Sequence, residues 1–511
     1  MRQRNFKTIR LITLLVLVAG LLIVKLEQWP STWYDEGFNL QAARNLVELG
    51  RYGIQSSEGF RSFDPLVSSG PTVILPVALV FKVLGIGLLQ ARVTMVMFAL
   101  LSVLLFYILS GSLFDEKTTI TAVLLMVAIP YFSDDFTANF LGLGRMVLGE
   151  IPNLVFVVSG SLIWFAALER KSNLLLAIAG VVFGLAAITK QHSLMVIACL
   201  IFIWLVDRLW FHQLHWSQSL IPFGISLVLV LTWSIIQAHF GASYVTQSTL
   251  TDRIITNAFI GLLSPAQIIH NLRVLFGSGF LIWGLPGLIF GISVCSRNTR
   301  KGLKRCFILL ICAVWLAWFV IASIGWLRYA FLGLALTTMF TANLFVDLSA
   351  GLTFLPSNGI FNRKRRFDYV FYFRSLAVTI MIVLIVLTPL QESVKQILFG
   401  DETSPFEFAQ YLDERIPRRV IIESFEPEIV FLSDHFFHQP DLRVLMKTVR
   451  HVQLGEPYPA GFYSLHEINP DYIVVGEFAS WTGLYEQELK DGSLIPVKTI
   501  GDYELYQSLK Q

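Results

Sequence analysis

Long apolar runs recur along the chain as far as residue 390, and a mixed polar segment follows. A helix needs about 20 apolar residues to cross a bilayer. On that basis membrane spans are predicted at 8–28, 92–113, 117–132, 147–168, 173–190, 193–210, 218–239, 274–295, 306–325, 327–347 and 370–390. A further apolar stretch, 71–89, contains two prolines and a lysine, and its status is ambiguous.

Composition agrees with this pattern. Of the 511 residues, 55% are hydrophobic and only 15% are charged, whereas charged residues make up about 25% of ordinary globular domains. The net charge is +3, and the basic residues lie in short loops, which is typical of membrane orientation signals and not of nucleic-acid binding. The chain is therefore predicted to be a mainly α, polytopic membrane protein without a nucleic-acid partner.

The basic clusters predict the orientation and the status of 71–89. Clusters lie at the N-terminus, at 170–171, at 297–305 and at 363–366. All of them fall on the cytoplasmic side, together with the N-terminus, only if 71–89 does not cross the membrane. We therefore expect 71–89 to lie at the outer interface or to re-enter, with segments 29–91, 133–149, 240–273 and 391–511 outside.

The last segment, 391–511, is predicted to be a small extramembrane α/β domain that follows the membrane module of residues 1–390. Ser404 is expected to cap a short helix that begins at Pro405. Runs rich in β-forming residues predict strands at 420–422, 442–445, 472–475 and 503–506.

An acidic pair, Asp35-Glu36, follows the first predicted span by a few residues. Carboxylates at a membrane surface are costly to desolvate, so they are candidate functional groups. A plain solvated loop is the alternative. A third acid, Glu150, begins a span, where it either serves chemistry or simply matches the helix dipole. Asp134-Asp135 is expected to be a solvated turn.

Two cations are predicted at the same outer boundary, Lys190 and Arg328. Each either extends toward the interface or pairs with a lipid phosphate. A carboxylate that takes a proton from a hydroxyl, combined with cations that stabilise a phosphate leaving group, suits sugar transfer from a lipid phosphate.

A metal site has little support in the sequence. His435 and His438 have a possible ligand spacing, but no further convincing ligand accompanies them, and closed zinc sites normally need four. No cofactor is therefore predicted, although a divalent metal stays open. The four cysteines lie in or beside apolar segments, so no disulfide framework is expected.

The layout resembles the GT-C glycosyltransferases, in the branch of the protein O-mannosyltransferases and the lipid A aminoarabinose transferase. The resemblance covers the first ~200 residues best. Its carriers are Tyr34-Asp35-Glu36, Gly70-Pro71, Arg92, Glu150-Ile151-Pro152, Ile188-Thr189-Lys190 and Arg328-Tyr329. Each of these matches is weak alone, but their order and sidedness are fairly specific.

The resemblance implies an inverting transfer from a polyprenyl-phosphate sugar to an acceptor hydroxyl of a protein, glycan or lipid, in a bacterial plasma membrane. It implies that Asp35 is the base, that Glu150 helps to bind the acceptor or orients the base, and that Lys190 contacts the lipid phosphate. Glu36 is expected to orient the acceptor or the loop.

Two departures from the family pattern are visible. Ile151 separates Glu150 from the proline, which the family's acid often precedes directly. Gly70 stands where the aminoarabinose transferase has a lysine, so either Arg61 takes over as a donor-binding cation or donor binding differs.

Two other function classes stay open at this stage. Many spans with scattered polar residues also suit a transporter or flippase of a lipid-linked glycan, although internal repeats and paired charges inside the spans are not evident. A membrane scaffold with a partner-binding tail is the third possibility.

Overall fold

A computed structural model describes residues 2–129, 138–241, 259–296, 298–349, 369–400, 402–459 and 461–509. Its first part is almost entirely helical. The helices are α1 Arg2–Ile23, α2 Tyr34–Glu48, α3 Pro71–Leu84, α4 Leu88–Leu113, α5 Glu116–Ala128, α6 Phe140–Leu143, α7 Glu150–Arg170, α8 Asn173–Thr189, α9 Leu194–Val206, α10 Ser217–Phe240, α11 Pro265–Gly277, α12 Phe280–Cys295, α13 Arg300–Ala322, α14 Phe331–Leu348 and α15 Tyr369–Phe399.

Within the described residues, seven helical segments are long and apolar enough to cross a membrane, and α11 with α12 adds an eighth if the bent pair is one span. Three shorter apolar helices lie at Thr8–Ile23, Pro71–Leu84 and Asn173–Thr189. The chain is thus an integral membrane protein with a helical fold, as the apolar runs predicted. The three remaining predicted spans correspond to shorter helical stretches: 8–28 to the apolar part of α1 at Thr8–Ile23, 117–132 to α5, and 173–190 to α8.

The predicted span 274–295 differs in detail, because the helix is broken. α11 ends at Gly277 and α12 begins at Phe280, with an angle of 92° between them. Gly279 has φ 78°, a left-handed conformation that glycine adopts without a steric penalty.

The acidic pair Asp134-Asp135 lies outside the described residues.

The loop after α1, which we call the outer loop after its predicted side of the membrane, is a folded unit. It contains α2, a hairpin of strands β1 (Gly53–Ser56) and β2 (Gly59–Ser62), and then α3. α3 has 14 residues and begins at Pro71, where the missing N–H is not needed for helical hydrogen bonds. This length is below the roughly 20 residues that a span needs, and the interfacial placement of 71–89 stays a prediction.

The tail folds as an α/β domain, as predicted. Its strands are β3 Ile421–Ser424, β4 Phe436–His438, β5 Tyr472–Val475, β6 Leu494–Ile500 and β7 Tyr503–Ser508. Its helices are α16 Ser404–Arg415, α17 Pro427–Leu432, α18 Leu442–Leu454, α19 Leu465–Ile468, α20 Glu477–Thr482 and α21 Glu486–Asp491. The sheet order is β4-β3-β5-β7-β6. The first three strands are parallel to one another, β7 is antiparallel to β5, and β6 is antiparallel to β7.

Two local predictions for the tail were wrong. Residues 442–445 form the first turn of α18 and not a strand, because the Asp441 carboxylate accepts the N–H groups of Arg443 and Val444 and so starts a helix. Ser404 does not cap a helix but is itself the first residue of α16, after Thr403. The preceding helix, α15, continues to Phe399, past the predicted domain boundary at 390.

The tail packs directly on the outer loop. One apolar core joins Phe38 of α2 and Phe81 of α3 to Phe425 and Phe478 of the tail. α2 approaches α17 so closely that a Cβ at Gly37 would overlap the backbone of Pro427 and Glu428. The membrane module and the tail therefore share a continuous hydrophobic core around the outer loop.

Candidate active site

Asp35 lies in the first turn of α2, and it pairs with Arg328. Trp33 has an extended backbone and directly precedes the helix. The helix dipole is positive at this end, so it favours acidic residues in the first turn. Arg328 belongs to a 3₁₀ turn at Leu327–Ala330, and its Nη2 donates to Asp35 Oδ2. The side chain of Asp35 keeps 14% of its exposure, whereas that of Arg328 keeps 3%. The pair therefore lies at the edge of the protein interior.

Aromatic rings surround the guanidinium of Arg328. Its Cζ lies 4.8 Å from the ring centroid of Trp33, 4.9 Å from that of Trp326 and 5.3 Å from that of Tyr329. Stacking on aromatic faces suits arginine because its charge is delocalised and weakly hydrated. Its Nε and Nη1 meet no hydrogen-bond acceptor within the described parts of the chain.

The neighbouring acid, Glu36, points into the core. Arg92 Nε and Nη2 donate to its two oxygens at 3.0 and 2.7 Å, and both side chains are fully buried. The Val147 N–H also donates to Glu36 Oε1 at 2.9 Å, and Arg92 Nη1 donates to the Leu26 carbonyl at 2.9 Å. Glu36 therefore joins the first outer loop to α4 and to the segment before α7.

Glu150 and Lys190 form a second buried pair. Glu150 is the first residue of α7, and Lys190 directly follows α8, with 2.5 Å between Lys190 Nζ and Glu150 Oε1. The ammonium also lies 4.9 Å from the ring centroid of Tyr329. A Cβ at Gly149 would come within 2.9 Å of Lys190 Cγ, so the glycine leaves room for the lysine to reach Glu150.

The two ion pairs meet at a narrow cleft. Glu150, Lys190 and Arg328 line it, together with Asn153, His192, Trp315, Tyr329, Phe331 and Leu332. A larger cleft, with an empty volume of about 980 Å³, shares Lys190, His192 and Tyr329 with the first. The structure thus brings Glu150, Lys190 and Arg328 together at one cleft, with Asp35 attached through Arg328.

The larger cleft has a mixed lining. Asp64, Ser68, Ser69, Thr189 and Gln237 are polar, whereas Val67, Ala187, Ile188, Leu194 and Val230 are apolar, and Tyr52 and Trp233 add aromatic rings. Trp233 lies on α10, and only 17% of the residues in the apolar stretch of this helix are buried within the protein. The cleft is therefore bounded by a helix that has few buried residues in its apolar stretch.

Arg61 lies elsewhere. Its Nε is 3.0 Å from Asp64 Oδ2, and its Nη1 donates to the carbonyl of Gln439 in the tail at 3.1 Å. It does not belong to the lining of either cleft. The structure therefore places Arg61 in the contact between the outer loop and the tail, and its role in donor binding stays a prediction.

Two residues that the sequence left without a role, Asn153 and His192, line the small cleft. Asn153 accepts a hydrogen bond from the Ser193 hydroxyl at 2.6 Å, one turn into α7 from Glu150. The His192 ring lies 4.5 Å from Trp318 and 5.2 Å from Tyr329, centroid to centroid. Their only signal in the sequence was proximity to Glu150, Lys190 and Arg328.

Arg145 was also missed. It is fully buried, and it donates to the carbonyls of Leu21, Val24 and Trp29 at 2.9, 2.7 and 2.8 Å. Those carbonyls lie at and beyond the end of α1, where helical hydrogen bonds run out. Arg145 therefore holds the start of the first outer loop against the segment before α7.

The candidate histidines are separated in the tail. His435 Nδ1 bonds Asp413 at 2.9 Å, whereas His438 contacts Glu423 through Nδ1 and Glu58 through Nε2 at 3.1 Å. Among the described residues, His, Cys, Asp and Glu form no group of three that could hold a metal ion.

Comparison with known proteins places this arrangement in a fold class. The family model described as dolichyl-phosphate-mannose-protein mannosyltransferase matches residues 68–236, which include Arg92, Glu150 and Lys190. Curated protein sequences give no significant match. The family match and the solved structures below agree with the predicted resemblance to the GT-C superfamily.

Two solved structures illustrate the fold. ArnT from Cupriavidus metallidurans, bound to undecaprenyl phosphate, is 13% identical, with 98% of each chain covered and a TM-score of 0.61. The oligosaccharyltransferase AglB from Archaeoglobus fulgidus, in complex with an inhibitory peptide and a dolichol-phosphate, is 13% identical, with 99% of this chain and 75% of that chain covered and a TM-score of 0.57. The likeness is therefore one of fold over the whole length.

Proposed function

We propose that this protein transfers a sugar from a polyprenyl-phosphate donor to an acceptor hydroxyl at the outer face of the membrane, with inversion at the anomeric carbon. The observation that carries the proposal is the convergence of Glu150, Lys190 and Arg328 on one cleft, with Asp35 held by Arg328. The family match, and the lipid phosphates named in the solved structures of this fold, support the donor class.

The donor phosphate would bind between Lys190 and Arg328. Each of these cations is paired with an acid, and Arg328 also has two guanidinium nitrogens without a hydrogen-bond acceptor among the described residues. A phosphate offers several anionic oxygens, so it would bind these free donors and weaken the two ion pairs. The apolar and exposed surface of α10 beside the larger cleft suits the lipid chain.

Asp35 would act as the general base. As the phosphate draws Arg328 toward itself, the Asp35 carboxylate becomes available to accept the proton of the acceptor hydroxyl. The hydroxyl oxygen attacks the anomeric carbon from the face opposite the phosphate, and the bond from that carbon to the phosphate oxygen breaks. The polyprenyl phosphate leaves as an anion, so it needs no proton from a general acid.

Glu150 and Glu36 would have different roles. Glu150 Oε2 is buried and meets no hydrogen-bond partner within the described residues, so it is available to an acceptor or to the donor sugar once Lys190 binds phosphate. Both oxygens of Glu36 are occupied by Arg92. Of its two predicted roles, orientation of the loop therefore fits better than contact with an acceptor.

Turnover of a polyprenyl-phosphate sugar in detergent tests the proposal. Wild-type protein should consume the donor and release polyprenyl phosphate, and Asp35→Asn should lose about 100- to 10,000-fold in rate because it lacks the base. Asp491→Asn, at a fully exposed position of the tail, is the matched control and should keep the wild-type rate. Transfer by Asp35→Asn at the wild-type rate would show that Asp35 is not the base.

Two further readouts separate the alternatives. Labelling of Arg443→Cys, at an exposed tail position, by an impermeant maleimide on intact cells tests the outer location of the tail. Movement of an intact lipid-linked sugar across sealed vesicles, without donor consumption, would favour a flippase instead.

A further inference from the structure

We propose that α20 of the tail is a positioning element for the catalytic pair, through the rings of Phe478 and Trp481; this inference rests on the proposed function. Asp35 and Arg328 are 293 residues apart in sequence. Asp35 lies in the first turn of α2, and Arg328 lies in a 3₁₀ turn. Their relative position therefore depends on what holds those two segments together.

Phe478 contacts the segment that carries Asp35. Its ring stacks on that of Tyr34, the residue before Asp35, with centroids 3.6 Å apart and planes at 21°. Phe425, also in the tail, completes the contact edge-on to both rings, at 5.6 Å from Tyr34 and 5.1 Å from Phe478. Tyr34 is buried, so the first turn of α2 is held on this side by tail residues.

Trp481 contacts the segment that carries Arg328. Its ring centroid lies 6.2 Å from that of Trp326, two residues before Arg328. Trp326 in turn lies 6.3 Å from Trp33, edge-on, and both rings face the guanidinium of Arg328. The two rings of α20, Phe478 and Trp481, are themselves 5.5 Å apart. One short helix therefore contacts both segments that carry the catalytic pair.

α20 is held firmly in the tail. The buried carboxylate of Glu426 accepts the N–H groups of Gly476 at 3.1 Å and Ala479 at 2.8 Å. A Cβ at Gly476 would come within 2.7 Å of Glu426 Cδ, so the glycine permits this close approach. A fixed α20 can transmit the position of the tail to the two segments.

Positioning has a distinct energetic signature. A displacement of about 1 Å at a reacting group costs up to about 100-fold in rate, without the same loss in ground-state binding. Loss of either ring should therefore lower kcat, whereas phosphate binding by Lys190 should persist.

The chain offers a matched control. Phe431 of α17 is as buried as Phe478, 5% exposed in each case, and its ring stacks on Phe81 of α3 at 6.1 Å. It joins the tail to the outer loop just as Phe478 does, but it contacts α3 instead of the segment of Asp35. Phe431→Ala therefore reports the effect of loosening the tail without loosening the catalytic pair.

The experiment compares Phe478→Ala, Trp481→Ala and Phe431→Ala in detergent, with kcat per folded molecule and the Kd for a polyprenyl phosphate as readouts. The two α20 variants should lose about 10- to 100-fold in kcat with less than about 3-fold change in Kd, and Phe431→Ala should lose less than about 3-fold in kcat. Trp481→Phe and Tyr34→Phe, which keep an aromatic ring at each position, should keep most of the rate.

Hydrogen exchange provides a readout that does not need turnover. Amides at 33–38 and 326–330 should exchange faster in the α20 variants than in Phe431→Ala. Equal kcat losses and equal exchange in all three variants would overturn the inference. Absence of turnover in the wild type would contradict the proposed function instead, and the exchange data would still decide whether α20 holds the two segments.

Discussion

Asp35 and Glu36 are neighbours in sequence, yet the fold gives them opposite environments. Glu36 is fully buried and has both oxygens bound by Arg92, whereas Asp35 keeps part of its exposure and reaches the cleft through Arg328. Successive residues of a helix point about 100° apart, since 3.6 residues make one turn, so Glu36 faces Arg92 in the core while Asp35 faces Arg328. An acidic pair thus divides into a structural carboxylate and a candidate catalytic one.

The two cations that pair with these acids, Arg92 and Arg328, also differ in their surroundings. Arg92 is engaged by Glu36 and by the Leu26 carbonyl, in geometry that leaves little freedom. Arg328 has one carboxylate partner, three aromatic rings and two nitrogens without a hydrogen-bond acceptor among the described residues. A fully satisfied pair rigidifies the fold, and an incompletely satisfied one is suited to exchange partners with a ligand.

The largest effect on stability is expected at the structural pair. Glu36→Gln would leave Arg92 as a buried charge without its partner, and loss of one member of a buried pair costs about 3–5 kcal/mol. Thermal unfolding in detergent should show this loss, and Arg92→Met combined with Glu36→Gln should recover part of it.

Asp35→Asn is the comparison for that variant. It should lose less stability than Glu36→Gln, because the aromatic rings around Arg328 remain and the site is partly exposed. A stability loss at Asp35 equal to that at Glu36 would break the distinction between the two acids.

A middle-sized effect is expected at Lys190. Lys190→Ala should weaken binding of a polyprenyl phosphate by about 10-fold, because charged hydrogen bonds contribute about 1.5–3 kcal/mol and Glu150 becomes unpaired. Lys190→Arg keeps the charge and serves as the control, and Arg61→Ala should leave the affinity unchanged because Arg61 faces the tail. Titration of the lipid phosphate into purified protein measures all three, and unaltered affinity in Lys190→Ala would contradict the phosphate contact.

The smallest effect concerns pH and the tail. Burial lowers the pKa of His438, but its bonds to Glu423 and Glu58 outweigh burial and raise the pKa above the ordinary value of 6.5. A histidine whose pKa is raised by folding stabilises the folded state to its full extent when the pH lies below the pKa of the unfolded state. That contribution is lost as the pH rises from 6.5 through the pKa of the folded state. Contact between the tail and the β1–β2 hairpin should therefore weaken in that range.

Thermal unfolding across pH 6 to 9 measures this effect. His438→Gln should flatten the profile relative to the wild type, and Glu58→Gln, which removes the more exposed partner, should flatten it less. An unchanged profile in His438→Gln would show that the histidine does not contribute to the pH dependence.

Much of the candidate site followed from residue type and order. Asp35, Glu150, Lys190 and Arg328 were each predicted from position beside an apolar run. The structure places Glu150, Lys190 and Arg328 at the small cleft, and Asp35 pairs with Arg328. The family resemblance favoured Asp35 over Glu36 as the base, but the residue pattern alone did not predict their different environments, because these depend on which face of α2 meets Arg92. Arg61 resembled a donor ligand by residue type, whereas its contacts, to Asp64 and to the Gln439 carbonyl 378 residues away in sequence, depend on the tertiary structure.

The amino-acid sequence by itself determined the membrane class, the position of most helices and the α/β nature of the tail, because these follow from the length and periodicity of apolar runs. Tertiary structure alone decided that the tail shares a core with the outer loop and that α20 contacts both Tyr34 and Trp326. These contacts join residues hundreds of positions apart, and no local pattern specifies such partners, since the same apolar surface could pack against any complementary face.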